Sequence, residues 1–321
     1  MPVARFLMRR IALGIVVMWT VATLVFIMYF VSPHNVARLL AGRQATPQTV
    51  AAVSRSLGLN RPILAQYLSF LGRLVRGNLG YSYTNSEPVL KLIGQGLPVT
   101  VSLALGGSIL WLLIGVSSGV LAATRARSAF DRVTTVVALV FYSTPTFLLG
   151  ELLLIVLFYH LHLIGIHLFP GAGFVPISHD PVGWAQHLLL PWLTIALVSA
   201  ATYERLTRAA LLEVLGSDYM RTAKAKGLSE GQVTVRHGLR AALTPIVTQF
   251  GLDLGTLLGG VVVTETVFGL PGLGQLLIIS IEHQDLPTTI GLVLLASAFV
   301  VAANILVDLF YVVIDPRVRL D

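Results

Sequence analysis

Six long stretches of this chain are almost free of charge, and nothing else in the sequence restricts its fold so strongly. They run Ile11–Val31, Val99–Ala123, Val133–Tyr159, Leu188–Tyr203, Leu243–Val263 and Thr289–Val313, and the only charged residues inside them are Glu151, Asp253 and Asp308. About 20 apolar residues in a helix cross the hydrocarbon core of a bilayer. A helix also satisfies its own backbone there, which an open strand cannot. The sequence therefore predicts an all-α integral membrane protein with about six transmembrane helices. The fourth stretch is short by charge, and its helix is expected to continue past Glu204 and Arg205, because Leu206, Ala209, Ala210 and Leu212 favour helix. The first stretch follows Arg5, Arg9 and Arg10 and holds 21 residues. That exceeds the roughly 7–15 of a signal-peptide core, and no small-residue cleavage site closes it, so it reads as a span that stays in place.

Composition agrees. Hydrophobic residues make up 55% of the 321 and charged residues 12%, against about 25% charged in a soluble domain. There is no cysteine, which excludes disulfides and thiolate metal sites. The net charge of +7 does not point to nucleic acid, because the basic residues sit in short segments between apolar runs, where a membrane accounts for them.

Those segments also orient the chain. The N-terminal residues 1–10, the turn around Arg125, Arg127 and Arg132, the segment 204–242 and the C-terminal residues 314–321 together hold 15 of the 22 lysines and arginines. The segments 161–187 and 266–287 hold none. The remaining seven lie in 32–98, which exceeds the length of about 60 residues at which such counting loses force. Both termini are therefore expected in the cytoplasm. Residues 32–98 form an insert on the other side, folded because 47–76 carry helical spacing (Val50, Val53, Leu57, then Ile63, Tyr67, Phe70, Leu74). Pro47 and Pro62 mark helix starts, and Val89, Leu92, Ile93 and Leu97 form an apolar stripe expected to lie along the membrane surface.

Residues 216–250 break the pattern of spans. They are basic, rich in helix formers, and divided by Gly227, so they read as two short cytoplasmic helices shaped to dock on a partner. The runs Arg221-Thr222-Ala223-Lys224-Ala225-Lys226-Gly227-Leu228-Ser229 and Arg236-His237-Gly238-Leu239-Arg240-Ala241-Ala242-Leu243-Thr244-Pro245 resemble the coupling loop of permease subunits of binding-protein-dependent ABC importers, in the dipeptide and oligopeptide branch. Ala223 and Gly227 keep the spacing of the general permease motif. Arg221 and Thr222 replace its Glu and first Ala, and His237 and Arg240 depart from its Ile and Pro, which narrows the branch. Residues 57–67, 77–100 and 265–277 resemble the same branch.

The resemblance implies a type I permease fold and a set of partners. These are a second, homologous permease subunit in a heterodimer, two cytoplasmic ATPases, an extracytoplasmic solute-binding protein, a peptide-like solute and the cytoplasmic (inner) membrane. Nickel chelates, haem and glycosides are alternative solutes, and an ion-coupled secondary transporter is the rival from another class. ATP and Mg would be used by the partners, with no cofactor bound by this chain. Tyr219, Arg221, Thr222, Ala223, Lys224, Ala225, Lys226 and Gly227 are the expected ATPase-coupling residues.

Other patterns have plainer readings. The only lysines are Lys91, Lys224 and Lys226, and none precedes Ser or Thr, so there is no phosphate-cradling loop. Leu228-Ser229-Glu230-Gly231-Gln232 resembles the nucleotide-clamping signature of ABC ATPases by chance. Gly115-Val116-Ser117-Ser118-Gly119 fits a nucleophile elbow but lies inside an apolar helix, where small residues four apart serve close packing. No catalytic residue and no metal site are expected, and His160, His162 and His167 read as interfacial. Intramembrane carboxylates are expensive and face cavities or partners. Asp253, roughly 14 Å into its span at 1.5 Å per residue, and Glu151 are therefore candidates for the translocation path or a subunit interface. The glycine stripe Gly251, Gly255 and Gly259 joins them.

Overall fold

The computed structural model describes residues 2–31, 46–56, 58 and 60–314, and helix predominates among them. Five helices among them are long and apolar enough to cross a membrane: Met8–Tyr29, Val89–Thr124, Thr146–Leu163, Pro181–Leu215 and Leu286–Leu306. A further helix, Arg240–Val267, runs for 28 residues through the fifth apolar stretch. The chain divides into two compact units, one drawn from residues 1–95 and 276–305, the other from 96–275 and 306–319.

In the first unit, the helix Ile63–Val75 of the insert docks on the end of the first helix. Tyr67 meets Phe26 edge-on at 5.2 Å and shares a 2.7 Å hydrogen bond with Thr23. Phe70, Phe26, Ala22, Val25, Ile290 and Leu294 form the buried cluster there. Of the predicted stripe, Tyr67, Phe70 and Leu74 face this cluster and Ile63 is exposed. Val50 and Val53 fall in the helix Pro47–Ser56; Leu57 lies outside the described residues.

The loop before the second long helix is tied down by Asp285. Its carboxylate accepts from the Ser82 hydroxyl, the Tyr83 amide at 3.0 Å and the Thr288 hydroxyl at 2.8 Å. The stripe Val89, Leu92, Ile93 and Leu97 differs from expectation. It is not a separate surface helix but the opening turns of Val89–Thr124. Val89, Leu92 and Ile93 are buried, and a Cβ at Gly291 would come within 2.8 Å of Val89. The stripe is apolar because it packs on protein.

The second unit is organised around Pro181–Leu215, a 35-residue helix about 52 Å long at 1.5 Å per residue. Asp180 caps it by accepting from the Val182 amide, and Pro181 occupies its first turn. Glycines bring Val89–Thr124 against it. A Cβ at Gly115 would lie 2.7 Å from the Ala200 carbonyl oxygen, and one at Gly119 would lie 2.7 Å from that of Glu204. The Gly-x-Ser-x-Gly run is therefore a packing face, with its backbone helical throughout. Trp192 sits over Gly106 and donates to the Ser102 carbonyl at 3.0 Å.

The predicted third span, 133–159, is not one helix. It divides into Ala129–Ser143 and Thr146–Leu153, the latter running on through a π-helical stretch, Leu154–His160. Pro145 disfavours the helical conformation at the residue before it, and Thr144 is extended. The fourth helix begins at Pro181 rather than Leu188 and ends at Leu215.

Candidate functional site

The expected coupling segment folds as an exposed helix pinned at one residue. Asp218–Ala225 is helical, with Tyr219, Arg221, Thr222 and Ala225 exposed and Ala223 half-buried; the Lys224 side chain lies outside the described residues. Arg221 pairs with Asp218 at 3.5 Å on the surface. Met220 is completely buried and is the anchor. A Cβ at Gly238 would come within 3.3 Å of its methyl and 3.0 Å of Leu211. Met220 was legible as the one large apolar side chain on the buried face of a polar helix, yet it was not among the expected residues.

Gly227 follows with φ +79°, a backbone state that glycine adopts without a Cβ penalty. Ser229 then caps the next helix through a capping box, its hydroxyl accepting from the Gln232 amide while Gln232 accepts from the Ser229 amide. The signature-like Leu-Ser-Glu-Gly-Gln run is thus a helix start. Beyond it the helix is not short, as expected, but continues through a π-helical stretch, Val233–Leu239, into Arg240–Val267.

Asp253 lies on that same rod. It receives hydrogen bonds from Tyr203 at 2.8 Å and from Gln249 at 2.9 Å. It lines a cavity of about 370 Å³ together with Trp111, Tyr142, Thr146, Ser199, Thr202 and Gln249, and with apolar side chains from the same two long helices. Gln249 was legible one turn before Asp253. Ser199 and Thr202, three apart on their helix, form a polar stripe in an apolar span, and that spacing is the signal the sequence offers for them.

Glu151 is exposed on Thr146–Leu153 and is not among the lining side chains. Gly251 is buried in Arg240–Val267, while the surroundings of Gly255 and Gly259, and the side chain of Asp308, lie outside the described residues. His162 stacks edge-on with His167 at 4.2 Å, and His160 bonds to the Ile155 carbonyl.

Three further carboxylates shape this unit. Asp131 binds Arg208 in a fork, Nε to Oδ1 at 2.6 Å and Nη2 to Oδ2 at 2.9 Å. It also accepts from the amide of Arg127, whose φ is +64°. These hydrogen bonds, Arg208 first, hold the Asp131 carboxyl down at about 2. Glu265 is fully buried and accepts from Thr100 at 2.6 Å and from the amides of Gly274 and Gln275 at 2.7 and 3.0 Å. Glu204, expected to enter water, is 2% exposed, and neither of its carboxylate oxygens meets a hydrogen-bond partner among the described residues.

The comparisons with known proteins fit this architecture. Residues 113–320 match the family described as the binding-protein-dependent transport system inner membrane component. Residues 3–104 match the N-terminal part of the corresponding membrane component. A Sinorhizobium fredii protein named a probable peptide ABC transporter permease is 38% identical over 314 residues, covering 98% of this chain and 99% of its own. The glutathione transport system permease of Escherichia coli is 36% identical over 315 residues, and its dipeptide transport system permease 35% over 336, each covering 98% of both chains. The chain belongs to the family of binding-protein-dependent transport system inner membrane components, the permease subunits of ABC importers.

Proposed function

We propose that this permease subunit imports peptide-like solutes across the cytoplasmic membrane, with its termini and residues 204–242 in the cytoplasm. It would pair with a homologous permease subunit, receive solute from an extracytoplasmic binding protein and be driven by two cytoplasmic ATPases that use ATP and Mg. The names of the peptide, dipeptide and glutathione relatives support the solute class. The exposed Glu151, set in an apolar helix, favours a partner subunit on that face, since lipid would impose a cost of about 2.5–3.5 kcal/mol on a central carboxylate.

The observation that carries the coupling role is the burial of Met220, on the otherwise exposed helix, beside Gly238 in the helical run that continues into Arg240–Val267 and so to Asp253. Tyr219 to Gly227 form the face offered to an ATPase, with Ala223 and Ala225 allowing close approach and Arg221, Lys224 and Lys226 supplying positive charge. Met220 and Leu211 both close on Gly238, so a displacement of that helix would reach Pro181–Leu215 through this glycine. The capped rod beginning at Ser229 would pass it to Asp253. Nucleotide and loaded binding protein must each favour one orientation of this linkage over the other, or neither could drive the cycle.

The test is solute-stimulated ATP hydrolysis by the reconstituted complex. Gly227→Pro demands a φ near −65° where the chain has +79°, and Ala223→Glu thickens the docking face. Both are expected to abolish stimulation while leaving membrane insertion intact, whereas Gly227→Asn, which tolerates the left-handed region, should retain part of it. Normal stimulation in Gly227→Pro and Ala223→Glu would remove the coupling assignment.

A further inference from the structure

Among the described side chains lining the 370 Å³ cavity, Asp253 is the single charged one. Its neighbours divide into two kinds. Tyr142, Thr146, Ser199, Thr202 and Gln249 present hydroxyl and amide groups, while Trp111 and the aliphatic side chains around it are apolar. Tyr203 and Gln249 donate one hydrogen bond to each carboxylate oxygen, which fixes the plane of the carboxylate at the wall. A carboxylate at this depth is expensive, and a water-filled or ligand-filled space is the usual compensation. The volume falls in the range of small-molecule sites, about 300–1,000 Å³. A chamber of mixed lining with one anchored carboxylate and several neutral polar groups is matched to a solute carrying one positive charge.

We propose that this cavity is a binding station for a primary ammonium group, such as the amino terminus of a short peptide, with Asp253 as its counter-ion. The proposal rests on the reading of the chain as a peptide permease and deepens it. Tyr203 and Gln249 are positioning residues that aim the carboxylate. Trp111 and the aliphatic walls accept side chains of differing size. Ser199, Thr202 and Thr146 satisfy peptide amides without selecting among sequences.

The absence of cysteine from the chain provides a direct test. Ser199→Cys, with Thr202→Cys as a second reporter on the same wall, is introduced into the complete transporter in lipid nanodiscs without nucleotide. Labelling of this chain by a trimethylammonium-ethyl and by a sulfonatoethyl methanethiosulfonate is followed by mass spectrometry, each rate normalised to that with a free thiol. The cationic reagent is expected to react about tenfold faster than the anionic one. Asp253→Asn should bring that ratio close to one. Glycylglycine amide, which is cationic, should slow labelling, and N-acetylglycylglycine, which is anionic, should not.

Equal rates for the two reagents in the parent reporters would overturn the ammonium site, as would a ratio that survives Asp253→Asn. No labelling of either cysteine would overturn it too, by showing the chamber closed to solutes. None of these results touches the coupling test, since the Gly227 and Ala223 variants are read through ATP hydrolysis.

Discussion

Two glutamates are buried to nearly the same depth in the second unit, Glu265 at 0% and Glu204 at 2% exposure, and their surroundings are opposites. The loop after Glu265 folds back so that the amides of Gly274 and Gln275 and the Thr100 hydroxyl all point at its carboxylate. Thr100 accepts from the Leu273 amide in turn, at 2.8 Å. Every group in that knot has a partner. Glu204, on the inner face of Pro181–Leu215, has no hydrogen-bond partner at either oxygen among the described residues, and the hydroxyl of Thr207 beside it has none either. One region uses a buried carboxylate to close a loop. The other carries a carboxylate that contributes nothing to local satisfaction, on a helix whose backbone at Glu204 is packed closely against Gly119. A buried charge is a fold anchor only when its lone pairs are used.

The largest effect should come from breaking the satisfied knot. Glu265→Ala would orphan three donors, each costing about 1–3 kcal/mol when buried without a partner. The expected outcome is loss of a monodisperse complex on size-exclusion chromatography. Gly272→Ala should fail in the same way with Glu265 intact, because a Cβ there collides with the Glu265 carboxylate. Glu265→Gln, which keeps one acceptor oxygen, should be the mildest of the three. A Glu265→Ala complex that melts within two degrees or so of the parent would erase the contrast between the two glutamates.

A smaller change of opposite sign is expected at Glu204. Glu204→Gln removes the charge and keeps the shape, so the cost of burying an unpaired carboxylate disappears while an amide of similar volume remains. The complex should melt a few degrees higher by thermal-shift measurement. Substitutions that stabilise a protein by removing a burdened polar group often slow it, so peptide uptake per complex is the second readout, expected to fall. If Glu204→Gln melts lower than the parent, the carboxylate is stabilising after all and the two regions are alike.

The sequence exposed some of this and concealed the rest, for identifiable reasons. Long apolar helices, the left-handed Gly227 and the charged Asp253 were legible because each depends on a local property: hydropathy, backbone freedom, or charge in the wrong solvent. The break in the third stretch was legible as well, since Thr144 precedes Pro145 between two halves of apolar sequence, but the unbroken hydropathy outweighed it. The stripe from Val89 to Leu97 was misplaced because an apolar helical face looks the same whether lipid or protein covers it. Asp131 and Arg208 stand 77 positions apart, and no spacing rule joins residues at that separation. Glu204 looked like the end of a span because charge marks water on average, and only the packing shows it enclosed.

The smallest effect expected, and the sharpest, concerns Arg208, which has two carboxylates to choose from. Glu204 precedes it by four residues on the same helix, the favourable order for an ion pair, yet its guanidinium is spent on Asp131 across to Ala129–Ser143. Asp131 is held at about 2 in the folded chain against an ordinary value of 3.8. Because the folded value is the lower one, the pair stabilises the fold fully above pH 5, and that stabilisation fades as pH falls through 4 toward 2. Asp131→Asn lacks the carboxylate at every pH. The gap in melting temperature between parent and Asp131→Asn should therefore stay constant from pH 7 to pH 5, lose about half its size by pH 3 and close near pH 2. A gap that stays open unchanged down to pH 3 would mean that the fork to Arg208 does not depress Asp131. Should Asp131→Asn also cancel the gain from Glu204→Gln, Arg208 has swung to Glu204, and the unpartnered carboxylate is unpartnered only while Asp131 holds the arginine.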